Sequence, residues 1–420
     1  MTRHLVRLIW NRKRQNLLLT IEILCAFLVV FVVVLFGLTF ATNARAPLGF
    51  ETERVWTIDV GRPRALPGAD AAANEANAAR EREIFTRLLA AARELPQIEL
   101  AAGTFTAPYV NATWGSGVTL TDGRKLDFLY NRVTDDVVPL LSMPLVAGRN
   151  FGRQDDGAGT MPVLINRALA SALFGDGNPI GQVIPEKPDP KERRDPSEPA
   201  PRQKRVVGVM QDFRQHGPYS VPGMVMFERL QLDAAHGGVP DRLLVRVRPG
   251  TTVALEPILV RRLQREAADW SFGISTMDHL RERKENDYLM PLTVLAVIAG
   301  FLLLMVTLGL TGVVWQSVTV RLREFGLRRA AGASGASVRR QVFAEMAVMT
   351  TFALLAGGLI VGQVPFLPLS REMVSVVAPG IYVGAVALSA AAIYCLTLAC
   401  GWYPSRLAAR IPPADALRYE

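Results

Sequence analysis

The residues best suited to chemistry in this chain form one basic run, Gln316-Ser-Val-Thr-Val-Arg-Leu-Arg-Glu-Phe-Gly-Leu-Arg-Arg-Ala-Ala-Gly-Ala-Ser334. Arg321, Arg323, Arg328 and Arg329 carry fixed positive charge. Glu324 and Gly326 lie among them, and Val320, Phe325 and Leu327 add apolar contact. The spacing predicts one short amphipathic surface helix stopped by Gly332, with Ser334 or Ser337 capping the helix that follows. The chemistry of such a segment is recognition. Phe325 and Leu327 can anchor in a partner's groove while the guanidinium groups set the register. A plain loop kept on the cytoplasmic side by its arginines explains the same charges, so its surroundings must decide.

Groups capable of covalent or metal chemistry are dispersed. Asp155-Asp156 has no nearby histidine or third carboxylate to complete a metal shell, and a turn or helix-capping role fits it better. The histidines, His4, His216, His236 and His279, are scattered. GxxxxGK[ST], GxSxG and HExxH are all absent from the sequence, so neither a P-loop nucleotide site nor a hydrolase nucleophile is expected. Asn111-Ala-Thr113 matches a glycosylation sequon that a bacterial chain would leave bare. The expectation is a protein with no cofactor, no metal and no catalytic residue of its own.

The elements that must position the basic run are membrane helices. Half of the 420 residues are hydrophobic, and they are bunched. Leu17 to Ala41, Leu289 to Val314, Val342 to Val364 and Ile381 to Tyr403 are each long enough to cross a hydrocarbon core of about 30 Å, which takes roughly 20 helical residues. The first is too long for a signal-peptide core and lacks a small-residue cleavage site before Arg45, so it is expected to remain as an anchor. Lys and Arg crowd the 1–16 tail, the 315–341 loop and the 404–420 tail, whereas the 365–380 loop has Arg371 offset by Glu372. The bias places both termini and the basic run in the cytoplasm and 42–288 outside. It also accounts for much of the net charge of +9, which argues against nucleic acid as a partner.

Cys25, Cys395 and Cys400 all fall within spans, so the outer domain must stand on its own core. Within it, 54–60 reads as a strand, 74–94 as an amphipathic helix and 98–106 as a strand. The same order recurs in strand 242–248, helix 253–270 and strand 272–276. These two βαβ-like halves, 44–110 and 221–285, predict a split α+β domain around an inserted subdomain, 111–220. The insert shows a strand at 162–165, a helix at 167–174, a strand from 205, and a Pro-rich charged loop at 185–204 expected to be exposed and mobile. Met277 to Asn286 reads as a helical stalk into the second span. Gly358 and Gly362 have small-xxx-small spacing, compatible with close helix packing within or between protomers. Glu22 and Glu345 are expected to pair locally near Arg14 and Arg340.

One span, a large outer domain and three further spans, together with several motifs, resemble the MacB-like/FtsX-like permeases of ABC transporters, the group that includes the LolC and LolE lipoprotein-release subunits. Arg323-Glu-Phe-Gly-Leu-Arg-Arg-Ala-Ala-Gly-Ala-Ser334 is similar to the family's coupling helix, Gln341-Val-Phe-Ala-Glu345 to the opening of its third span, and Pro413-Ala-Asp-Ala-Leu-Arg418 to its terminal tail. Gly148-Arg-Asn-Phe151 with Asp155-Asp156, Leu173-Phe-Gly175, Pro179-Ile-Gly181 and Val206-Val-Gly-Val-Met-Gln-Asp-Phe213 resemble its periplasmic core domain.

The resemblance implies a bacterial inner-membrane permease subunit that transmits ATP-driven motion to its periplasmic domain, for export or extraction of a peptide, lipoprotein or drug. MacB carries a fused ATPase, whereas this chain begins almost directly with a span, so a separate ATPase subunit is expected. The implied partners are that ATPase, a second permease protomer (identical or paralogous), membrane lipid and a periplasmic adaptor. A non-transporting complex that regulates a cell-wall hydrolase or a sensor kinase would carry much the same sequence. A membrane-anchored domain with no ATPase fits the basic run less well.

Overall fold

The largely apolar run Leu19–Ala44 has no water to satisfy its backbone in hydrocarbon, and it closes its hydrogen bonds internally as helix α1, Lys13–Ala44. The structure, a computed structural model, describes residues 13–45, 47–63, 71–110, 114–186, 203–217, 220, 222–233, 238–320, 327, 334–366 and 377–410. It separates into a helical unit, Met1–Thr42 with Tyr288–Glu420, and a sheet unit, Asn43–Asp287.

The sheet unit begins with β1 (Val55–Gly61), α2 (Ala71–Arg93) and β2 (Ile98–Thr104). Next come β3 (Trp114–Thr119), β4 (Lys125–Val133), α3 (Val137–Leu140), β5 (Leu145–Gly148), β6 (Met161–Asn166), α4 (Arg167–Phe174), β7 (Lys204–Met210) and β8 (Val225–Arg229). It closes with β9 (Arg242–Val247), α5 (Glu256–Glu266) and β10 (Ser271–Thr276). Among the described residues these strands form one sheet in the order β10-β1-β9-β2-β4-β8-β6-β7-β5, with β3 on β4. The first and last βαβ pieces interlock, because β9 lies between β1 and β2, antiparallel to both. This is the split arrangement the repeated strand–helix–strand order predicts. Phe85 and Leu88 of α2 and Leu259 and Leu263 of α5 bury themselves with Ile58, Leu243 and Val245 of the sheet.

The inserted strands join this half through a single paired position, Thr104 opposite Val133. β8 lies beyond the 111–220 range expected for the insert, yet it pairs with β4 and β6. Its buried Val225, Met226 and Phe227 leave no polar alternation to mark it as a strand of one half or the other. Asn166 organises this region. Its Oδ1 accepts from Leu169 N (3.1 Å), capping α4, and from Val225 N (2.9 Å), while Nδ2 donates to Asp212 Oδ1 (2.9 Å) and Gly223 O (2.8 Å). Of the 185–204 loop, 187–202 lie outside the described residues.

The remaining helices are α6 (Met277–Val320), α7 (Gly335–Gln363) and α8 (Pro379–Arg410). The charged turns expected as a stalk and the second span form one helix, α6. With α1, the described residues hold four helices long and apolar enough to cross a membrane. They pack through Ile23, Phe27, Phe31, Leu310, Met346, Ala353, Ala385 and Ile393. Close approach occurs at Gly357, where a Cβ would lie 2.5 Å from the Phe27 ring, and at Gly401, where it would lie 2.5 Å from Met346 Sδ. Gly358 and Gly362 meet nothing within 4 Å among the described residues. Packing within the chain therefore falls one residue before the expected pair, and the expected pair is left on an open face.

Two expectations follow. Asn166→Ala removes a helix cap and strands buried partners, and should destabilise the chain by on the order of 2–4 kcal/mol. Thermal unfolding in detergent followed by circular dichroism measures this, and an unchanged midpoint would refute it. Gly357→Val should overpack the Phe27 contact at about 1–3 kcal/mol, whereas Gly358→Val should leave the midpoint of the detergent-solubilised monomer in place. Equal effects at the two positions would overturn the distinction.

Candidate functional site

Arg321, Arg323, Glu324, Phe325, Gly326, Arg328, Arg329 and Gly332 lie outside the described residues. The structure describes what frames them. α6 ends at Val320, which is exposed, and Leu327 is helical and exposed, so apolar surface is presented on this stretch. Ser334 caps α7 with extended backbone, its Oγ accepting from Ser337 N at 3.3 Å. A capped start fixes where the loop ends and leaves Ser337 inside the helix.

The helix ends beside this loop are tied to one another. Trp315 of α6 stacks on Tyr403 of α8, with centroids 6.3 Å apart and planes 9° from parallel. The Arg406 guanidinium sits 5.0 Å over Trp402, a cation–π contact that holds the last turns of α8. Met346 of α7 fills the notch at Gly401 of α8. Deeper in the unit, Glu22 lies on the bare backbone of Gly309, where a Cβ would come within 2.8 Å of Oε2. The side chain of Arg14, its expected partner, lies outside the described residues. Glu345 accepts from Gln341 Nε2 at 3.4 Å, one turn away.

In the sheet unit a cleft of about 970 Å³ opens between α2 and the insert, lined by Arg82, Arg93, Asp135, Asp136, Asp156 and Arg229 among others. Its charges answer one another. Arg229 is nearly buried and grips Asp135 through two 2.7 Å contacts and Asp156 through a third. These bonds raise its pKa against the opposing effect of burial. Arg93 reaches Asp136, and Arg82 reaches Glu75 at 2.8 Å.

Behind the cleft, Arg149 holds Asp155 in a fork of 2.8 and 2.6 Å, and Asp155 also accepts from Gly152 N at 3.1 Å. Each member of the Asp155-Asp156 pair therefore has a guanidinium partner and a place in a turn. Among the described residues no group of His, Cys, Asp and Glu is arranged to hold a metal ion. His216 is half-buried, and burial with nearby Lys284 lowers its pKa; His279 is exposed. His4, His236 and the Asn111 sequon lie outside the described residues.

Arg149 hydrogen bonding holds the Asp155 carboxyl below the usual carboxylate range. A depressed folded pKa contributes stability above the unfolded value, about 3.9, and that contribution is lost as pH falls through the lower folded value. Asp155→Asn should therefore lower the unfolding midpoint at neutral pH and flatten its decline below roughly pH 4. Melting curves of both proteins along an acid series check this, and an equally steep decline in the variant would refute it.

The comparisons with known proteins agree with this architecture. The MacB-like periplasmic core domain matches residues 25–255, and the FtsX-like permease C-terminal domain matches 296–413. The macrolide export ATP-binding/permease protein MacB 1/2 of Paracoccus denitrificans is 28% identical over 316 residues, covering 74% of this chain and 45% of its own length. The ABC transporter permease YknZ of Bacillus subtilis, whose function is uncharacterised, is 23% identical, covering 70% of each chain. The crystal structure of the periplasmic region of MacB from Actinobacillus actinomycetemcomitans aligns with 57% of this chain at 14% identity and a TM-score of 0.36. This chain spans under half the length of the MacB relative. With its core-domain match running through more than half of its residues and the FtsX-like match through its last three spans, the chain belongs to the MacB/FtsX type of ABC transporter permeases.

Proposed function

We propose that this chain is a permease subunit that passes ATP-driven motion from a separate ATPase subunit to its periplasmic domain, for export or extraction of a substrate. In this reading both termini and the segment Arg321–Gly332 face the cytoplasm, and 42–288 faces the periplasm. Phe325 and Leu327 anchor in the ATPase, while Arg321, Arg323, Arg328 and Arg329 set register and Glu324 limits the orientations allowed. Gly326 and Gly332 let the segment turn tightly. A second protomer pairs with the first, and the open face bearing Gly358 and Gly362 suits close helix contact.

The observation that carries the reading is the basic, partly apolar segment placed between α6 and α7, inside the FtsX-like match. Its exposed Leu327 and the aromatic tie between α6 and α8 support a docking and relay role. The MacB relative bears the name of a macrolide exporter, which supports export as the class of work.

The test is co-purification from the native membrane in mild detergent. The wild-type chain should bring down a P-loop subunit with vanadate-sensitive ATPase activity, and Arg328→Glu/Arg329→Glu should lose it while still reaching the membrane. A double variant that retains the ATPase would remove the arginines from the coupling role. A wild-type chain that retains none under complex-preserving conditions would defeat the reading.

A further inference from the structure

Two leads connect the sheet unit covalently to the spans: the segment after α1 and the first turns of α6. Both pack against one loop of the insert, Gln211–Gly217, which follows β7. Arg214 N donates to Leu48 O at 2.9 Å. Gly49 has φ +81°, and a Cβ there would lie 2.5 Å from Asp212 O, so only glycine lets the incoming segment close on the loop. Phe50 then sets its ring edge-on to Phe213 (5.6 Å) and to Tyr109 (5.8 Å), and Phe213 stands edge-on to Phe227 of β8 (5.8 Å). All four rings are buried, an arrangement that rewards specific geometry beyond area alone.

The outgoing lead meets the same cluster. Met277, fully buried, and Leu280 of α6 belong to the core that holds Phe50, Tyr109 and Phe213. Tyr109 is held in the left-handed region (φ 66°), and its N–H donates to Gln215 O at 2.7 Å. Its hydroxyl lies in the field of Asp278, Arg281 and Glu285 along one face of α6, and burial pushes its pKa up to about 12. Gly217, with φ +92°, leaves room for the Tyr109 ring, which a Cβ would meet at 2.7 Å. By contrast, the sheet joins the insert to the split half at one paired position.

We propose that Gln211–Gly217, locked by Phe213 between Phe50 and Phe227 with Tyr109 on the far side of Phe50, is the link through which the inserted subdomain follows the membrane leads. Phe213, Phe50 and Tyr109 are positioning residues in this account, which rests on the mechanical reading of function above. The packed aromatic contacts move as one body, so a shift of α6 carries the insert with it. Without them the loop after β7 would no longer tie the rest of the insert to the two leads.

The test uses the full complex with its ATPase in lipid nanodiscs, native cysteines replaced by serine. Nitroxide pairs are read by pulsed electron paramagnetic resonance in nucleotide-free and vanadate-trapped states. Asp176→Cys with Glu282→Cys spans insert and α6, both positions being exposed. Leu308→Cys with Leu359→Cys reports on the spans. The span pair should shift on trapping, and the insert pair should not. In Phe213→Leu, which keeps an apolar side chain in the core, the insert pair should shift or broaden on trapping while ATPase turnover persists, and Phe50→Leu should do the same. An insert pair that shifts in the parent protein, or stays fixed in both leucine variants while the spans move, overturns the proposal. A span pair that does not respond to trapping overturns the mechanical reading instead.

Discussion

A backbone in hydrocarbon has no water to bond to, and that constraint orders the rest of this molecule. It makes α1, α6, α7 and α8 helices whatever their side chains prefer. The hydroxyls within them follow the same rule: Thr39, Thr307, Thr311, Thr350 and Thr397 each donate to the carbonyl four residues earlier, at 2.6–3.0 Å. With the backbone self-satisfied and lipid as apolar as leucine, the helices are held to one another by shape and by a few hydrogen bonds between them, such as Tyr382 Oη to Val361 O at 2.6 Å. Hence the notches at Gly357, Gly401 and Gly309, each filled by one particular neighbour: Phe27, Met346 and Glu22. The contacts between these helices are thus local and discrete.

The sheet unit solves the opposite problem. Water is available to it, and its charges are spent on geometry. Arg229 with Asp135 and Asp156, and Arg149 with Asp155, fix loops that have little apolar surface of their own. Such pairs add modest net stability but become costly when one member is removed. The two carboxylates that stand out in the sequence are therefore framework, and in the cleft beside them Arg82, Arg93 and Arg229 are each paired with a carboxylate.

Much of the fold is legible in the residues. The face bearing Ile84, Leu88 and Ala92 is the face that α2 buries, and Asn166 ahead of an apolar run marks the start of α4. Both βαβ pieces lie where alternation places them. The β3–β4 hairpin is harder to see, because Gly115 and Gly117 dilute its strand character. Asp122-Gly123, with φ +87° at the glycine, is the turn signal that reveals it. β8 carries no alternation at all. Of the candidate site, the basic segment is evident from charge and position alone. The grip of Phe213 on Phe50 is not, since it joins residues more than a hundred positions apart and nothing local to either announces the other. Gly357, which meets Phe27 within the chain, lies one residue before Gly358, because a GxxxG spacing names a stripe without saying which side meets a neighbour.

The interlocked strand order also bears on how the chain reaches this state. β1 lies between β9 and β10 and, among the described residues, pairs with no strand nearer in sequence. As the chain emerges, Val55–Gly61 must wait with both edges bare until the segment beginning at Arg242 has been made. Closing so long a loop is slow, and unpaired edges invite mispairing in the meantime. In chain order β1 follows α1, and the strands that complete it, β9 and β10, come immediately before α6. Assembly of the outer domain is thereby tied to insertion of the second span, and a nascent chain stalled before Arg242 would present an adhesive, half-built sheet at the membrane surface.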